Sequence, residues 1–147
     1  MARNLYLIVE GNRDIMILRY LLDYSKYDKV YHIPAGSYSS LSAVATTVRL
    51  MGKDERSEDK ILVVFDSDST NPSVGAEKTA NIEYLTNADY DERMSVFCFD
   101  QDIEHCLFPQ VDFKGLTNDE QSQLLQKDRD KLKENPYIKE LQKLIDS

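Results

Sequence analysis

Two unbroken apolar runs, each stopped by carboxylates, limit what this chain can fold into more than any other feature. The first is Leu5-Tyr6-Leu7-Ile8-Val9, followed by Glu10-Gly11-Asn12-Arg13-Asp14. The second is Ile61-Leu62-Val63-Val64-Phe65, followed by Asp66-Ser67-Asp68. A strand with one wet face alternates apolar and polar residues. A run with no polar side reads as a strand covered on both faces, as in the parallel sheet of an α/β protein. Open α/β sheets bind ligands beyond the carboxyl ends of their strands. If these two strands are neighbours, Glu10, Asp66 and Asp68 share a cleft. Charges of one sign held that close repel unless protons or cations neutralise them. A hard divalent metal with oxygen ligands does this directly.

The rest of the chain supplies helices for such a sheet. A helix is expected from Asn12 or Asp14 to about Tyr24, with Ile15, Leu18, Leu21 and Leu22 on one face. Residues 29–33 read as a second strand, and Pro34-Ala35-Gly36-Ser37 as a turn. A helix capped by Ser39 or Ser40 carries Leu41, Val44, Ala45, Val48 and Met51; Gly52 ends it, and a charged loop runs from Lys53 to Lys60. After the third strand, residues 74–87 suggest a helix with a weak stripe of Ala76, Ala80 and Leu85. Residues 95–99 form a fourth strand, and Ile103–Phe108 a helical turn closed by Pro109. A polar helix from Thr117 or Asn118 to about Glu134 follows, then, after Pro136, a short one carrying Tyr137, Ile138, Leu141, Leu144 and Ile145. Strands separated by helical stretches imply βαβ units with right-handed crossovers. The expected fold is α/β: a mainly parallel, four-stranded, Rossmann-like sheet flanked by helices. Residues 1–115 would form the catalytic domain and 116–147 a helical extension.

Charge narrows the function. The 147 residues carry 26 acids and 18 bases, a net charge of −8. A protein that grips nucleic acid through a broad basic surface does not look like this. Five acids are site candidates: Glu10, Asp14, Asp66, Asp68 and Glu104. Setting them aside leaves residues 1–117 near neutrality, so one or two divalent ions would offset the cleft. A phosphate substrate is then compatible, provided metal attracts it. No apolar run approaches the length of a membrane span. Met1-Ala2-Arg3-Asn4 leads straight into a strand with no leader-like stretch, so a cytoplasmic location without membrane association is expected. Cys98 and Cys106 fit no zinc spacing and read as reduced, buried thiols.

The acid-glycine pair after the first strand, the turn Pro34-Ala35-Gly36-Ser37 and the Asp66-Ser67-Asp68 motif after a later strand together resemble the Toprim domain. That module is shared by topoisomerases, bacterial primases, ribosomal RNA maturases and nucleases of the overcoming-lysogenisation-defect (OLD) type. The likeness spans about residues 4–108 and is closest to the OLD-type branch. There the first motif often reads Val-Glu-Gly-x-x-Asp, as in Val9-Glu10-Gly11-Asn12-Arg13-Asp14, and a further acid lies in a segment like Asp102-Ile103-Glu104-His105. The resemblance implies Mg²⁺-dependent hydrolysis or transfer at a phosphodiester of DNA or RNA, with Mn²⁺ as a substitute. Glu10 would be a metal ligand or general acid/base, and Asp66 and Asp68 metal ligands. Asp14 and Glu104 would complete one or two metal positions. Two such ions can stabilise both the attacking and the leaving oxygen. Asp66 and Asp68, one residue apart, would point to the same side of an extended segment. Gly11 would permit a tight turn and close approach to a phosphate, with Arg13 and Ser37 as further phosphate contacts.

The likeness is to one module only. No Gly-x-x-x-x-Gly-Lys-Ser/Thr loop occurs, so the ATPase half usual in OLD-type nucleases would come from a partner protein, if it is needed. A rival reading takes Asp66-Ser67-Asp68-Ser69-Thr70 as the Asp-x-Asp-x-Thr of haloacid-dehalogenase-type phosphatases. That motif normally follows the first strand of its domain, and it leaves Glu10 and Gly11 unexplained. A third reading is a non-catalytic module that binds metal or nucleic acid.

Overall fold

The computed structural model describes residues 3–51 and 58–147. Gly52 and residues 53–57 of the charged loop fall outside them. Four strands, β1 (Asn4–Val9), β2 (Lys29–Pro34), β3 (Lys60–Asp66) and β4 (Met94–Phe99), form one sheet in the order β2-β1-β3-β4. All three pairings are parallel. Helix α1 (Asn12–Leu21) connects β1 to β2, α2 (Tyr38–Met51) connects β2 to β3, and α3 (Pro72–Thr86) connects β3 to β4. Four helices follow: α4 (Ile103–Leu107), α5 (Asn118–Lys127), α6 (Arg129–Lys133) and α7 (Pro136–Asp146). The fold is the expected α/β sheet of Rossmann-like type.

The strand pattern explains the two layers. Side chains alternate across a sheet, and both faces of β1 and β3 are apolar. Leu5, Leu7, Val9, Leu62 and Val64 face one side, where α1 packs. Ile8, Ile61, Val63 and Phe65 face the other, against Leu41 and Ala45 of α2 and Ile82 of α3. The first side is completed by the C-terminal helices through Leu125, Leu132, Ile138, Leu141 and Ile145, all buried in the same core. The Tyr27 hydroxyl donates to the carbonyl of Ile145, and the Lys60 ammonium to Ser147 Oγ at 2.7 Å. These bonds tie α7 to the amino-terminal edge of the sheet.

Four elements depart from the sequence expectation. Helix α2 begins at Tyr38, so Ser39 and Ser40 lie inside it and do not cap it, and Met51 is 75% exposed. Helix α1 stops at Leu21, not Tyr24: Leu22 turns extended (φ −99°, ψ 146°) while its N–H still bonds the Leu18 carbonyl. The expected stripe of α3 is wrong: Ala76 and Ala80 face solvent, and Leu85 is 52% exposed. The buried face is Gly75, Ile82 and Thr86. Gly75 has the physical reason, since a Cβ there would meet Cys98 Sγ at 3.3 Å and Ser67 Cβ at 3.4 Å. The long polar helix is two, broken at Asp128 (φ −99°, ψ 10°). The cysteines are free but only half-buried. Among the described residues no helix is long and apolar enough to cross a membrane.

Candidate metal centre

The chain passes from β1 outward to β2, then returns past β1 to β3. The crevice between β1 and β3 is therefore the topological switch point, where open α/β sheets receive ligands. Glu10 leaves β1 there and Asp66 ends β3 there. Ile8 is paired with Val63, which sets Glu10 one residue short of Asp66 along the ladder. The Asp66 N–H points to Glu10 Oε1 at 3.4 Å. On the other side, Asp66 Oδ1 accepts from the Ile103 N–H at 3.0 Å. That bond fastens the start of α4 to the end of β3 and brings Glu104 to the same place. From α1, Asp14 Oδ2 accepts from the Gly11 N–H at 3.2 Å, so it caps its helix while standing beside Glu10.

Asp68 arrives differently from expectation. The strand ends at Asp66, and Asp68 has a left-handed backbone (φ 54°), so the pleat does not align the two acids. Its position is set by hydrogen bonds: the Asp68 N–H donates to the Gln101 carbonyl at 2.8 Å, and the Ser67 N–H to that of Phe99 at 3.0 Å. Ser67 is buried, and its Oγ accepts from the Gln101 N–H at 2.8 Å. Lys78 of α3 donates to the Ser67 carbonyl at 2.8 Å and lies 4.8 Å from the Tyr38 ring centre. The acidic loop is thus held from three sides. Sequence reading assigned no role to Ser67 or Lys78.

The electrostatics are those of anions short of countercharge. Burial, then the charges of Asp14, Glu104, Glu10 and Asp68, push the Asp66 carboxyl up to about 8. Burial first, with Glu10 adding to it, raises Asp14 to about 6. Burial also raises Glu10, with Asp68 and Glu104 adding and the Asp66 N–H and Lys78 opposing. Glu104, 7% exposed, is raised by burial, with Asp102 and Asp14 adding and Lys114 opposing. Among the described residues its Oε2 is buried with no hydrogen-bond partner. Its Oε1 lies 3.9 Å from Arg13 Nη1. A carboxylate oxygen buried without a donor costs on the order of 1–3 kcal/mol or more.

The expected phosphate contacts are less tightly held. Arg13 is exposed apart from its approach to Glu104. Lys114, also exposed, pairs with Asp102 at 3.4 Å. Gly11 has an extended backbone (φ −150°) that any residue adopts, so the tight-turn argument fails. Nothing lies within 4 Å of a Cβ built there, which leaves the site open to approach. The Gly36 N–H donates to the Glu10 carbonyl at 2.8 Å, and its φ of +94° suits glycine alone. Next to it Ser37 is exposed, its Oγ bonded to Ser39 and Ser40 Oγ at 3.0 and 3.1 Å.

The oxygen-only donor set suits a hard divalent cation. As they stand, no three His, Cys, Asp or Glu side chains among the described residues close tightly enough to hold an ion. Four carboxylates, Asp14, Glu104, Glu10 and Asp68, nonetheless bear electrostatically on Asp66. No family model matches this chain, and no curated protein or solved structure matches it either.

Proposed function

We propose that this chain is a Mg²⁺-dependent nuclease-like enzyme of Toprim type, hydrolysing or transferring a phosphodiester of nucleic acid. One observation carries the reading: a Glu104 oxygen, buried without a hydrogen-bond partner among the described residues, near Asp66, whose carboxyl is pushed up to about 8 by burial and by its acidic neighbours. A bound magnesium or manganese ion would polarise the phosphate and lower the pKa of a bound water. Asp66, Asp68 and Glu10 would hold it, with Asp14 and Glu104 completing the set. The backbone bonds through Ser67 and Ile103 fix these acids before substrate arrives, which lowers the reorganisation required. Glu10, raised and half-buried, is also suited to move a proton. Arg13, Ser37 and the open space at Gly11 would receive the phosphate. With a net charge of −8, grip on the strand would come from metal and from a partner, such as an ATPase.

Incubation with plasmid and with structured RNA, in magnesium, manganese or chelator, tests this. Cleavage that needs metal and disappears in both Glu10→Gln and Asp66→Asn is the expected result. Metal binding without cleavage of any nucleic acid would leave a cation-binding module. Cleavage unchanged by both substitutions would place the chemistry elsewhere.

A further inference from the structure

Beside the acidic loop, across the ends of β3 and β4, lies a cleft of about 360 Å³, the size range of small-ligand pockets. Its chemistry differs from that of the carboxylate site. Ring-bearing residues His105, Tyr137, Pro72 and Pro109 line it. Polar groups come from Asp100 and Gln101 at the β4 end and from Ser69 and Thr70 beyond β3. The Tyr137 hydroxyl donates to Asp100 Oδ2 at 2.7 Å, which orients that carboxylate and brings α7 to the cleft. Neither lysine nor arginine is among the residues lining it. An anionic phosphate would meet the Asp100 carboxylate with no lysine or arginine to offset it, whereas a neutral ring with N–H donors finds an acceptor and ring-bearing walls.

We infer that this cleft binds an unstacked nucleobase, with Asp100 accepting hydrogen bonds from the base's donor edge and guanine preferred. Guanine presents an imino and an amino N–H side by side, matching the two oxygens of a carboxylate; uracil and thymine present mainly acceptors. The walls are joined to the acidic loop, since the Gln101 N–H bonds Ser67 Oγ and its carbonyl receives the Asp68 N–H. A base seated here therefore lies next to the proposed cleavage site. A base can enter only when unpaired, so the inference selects single-stranded substrate. For the strand it rests on the nucleic-acid reading; for the base it does not.

Uncharged nucleosides separate the two readings. Guanosine, cytidine, adenosine and uridine are titrated into the full chain in chelator, followed by amide chemical shifts. Guanosine is expected to bind about tenfold more tightly than uridine, with shifts at Asp100, Gln101 and His105. In Asp100→Asn, whose exposed position leaves folding intact, the preference falls to near parity. In His105→Ala both nucleosides weaken by about fivefold or more while their ratio persists. Equal binding of all four nucleosides, no binding, or an undiminished preference in Asp100→Asn overturns the inference. Lost nucleoside binding with metal-dependent cleavage intact sinks the pocket alone; nucleoside binding without cleavage sinks the enzyme alone. Cutting of a single-stranded oligomer next to its one guanine identifies the strand as the source of the base. Guanosine monophosphate that alters cleavage with no positional bias identifies a free nucleotide. Both outcomes support the pocket.

Discussion

The two ends of the sheet handle buried acid in opposite ways. At the amino ends of β3 and β4, Asp91 and Arg93 form an ion pair at 2.8 Å with side chains 5% exposed. Arg93 donates its N–H and Nε to Asp91 Oδ1 at 3.0 Å each, and Nη2 to Oδ2 at 2.8 Å. Those hydrogen bonds hold the Asp91 carboxyl below its ordinary range despite burial. At the carboxyl ends burial takes Asp66 up to about 8, and its neighbours, being other acids, add to the rise instead of opposing it. Burial is common to both; the partner decides the sign. At one end the protein supplies the acid's countercharge itself. The other is stabilised only by protons or a cation.

Four measurements can break or sharpen this contrast. Asp66→Asn should lower metal-dependent cleavage by about 10³-fold, the scale of losing a key electrostatic group, while chelator-free folding persists; plasmid and RNA cleavage rates check it. Asp91→Ala should destabilise by up to about 3 kcal/mol, because it removes the buried carboxylate that accepts three hydrogen bonds from Arg93; urea unfolding at neutral pH reads this. Magnesium at a hundredfold over its Kd should stabilise the wild type by about 2.7 kcal/mol at pH 8, and Asp66→Asn much less, by thermal denaturation. The smallest effect concerns pH. A carboxyl whose folded pKa is raised is fully tolerated below its unfolded value and costs stability as pH climbs to the folded one. In chelator, the melting temperature of Asp66→Asn minus that of wild type should grow from about pH 4 and level off above about pH 8. A flat difference would mean that Asp66 is not an isolated anion.

Strand positions were legible because β1 and β3 are apolar on both faces, a pattern that admits few alternatives. The crevice was legible for the same reason: Glu10 and Asp66 follow directly from those runs. Helix limits were not. Nothing in Leu21-Leu22 marks the turn to extended backbone, and the α3 face was misread because glycine and threonine, not alanine and leucine, meet the sheet. Asp68 was placed by an argument about pleat, but hydrogen bonds to a loop distant in sequence govern it. Ser67, Asp100 and Tyr137 gave no local signal, since their roles arise from contacts across 34 and 37 residues.

The order β2-β1-β3-β4 also bears on biosynthesis. Every strand pairs with one already made, so the sheet can assemble as the chain emerges. The layer containing Leu41, Ala45 and Ile82 closes once Met94 is out. The opposite surface of Leu5, Leu7, Leu62 and Val64 gains its last cover only with Leu125 to Ile145. A nascent or C-terminally shortened chain would therefore present a half-dressed, greasy sheet, the kind of surface that chaperones hold and that aggregation exploits.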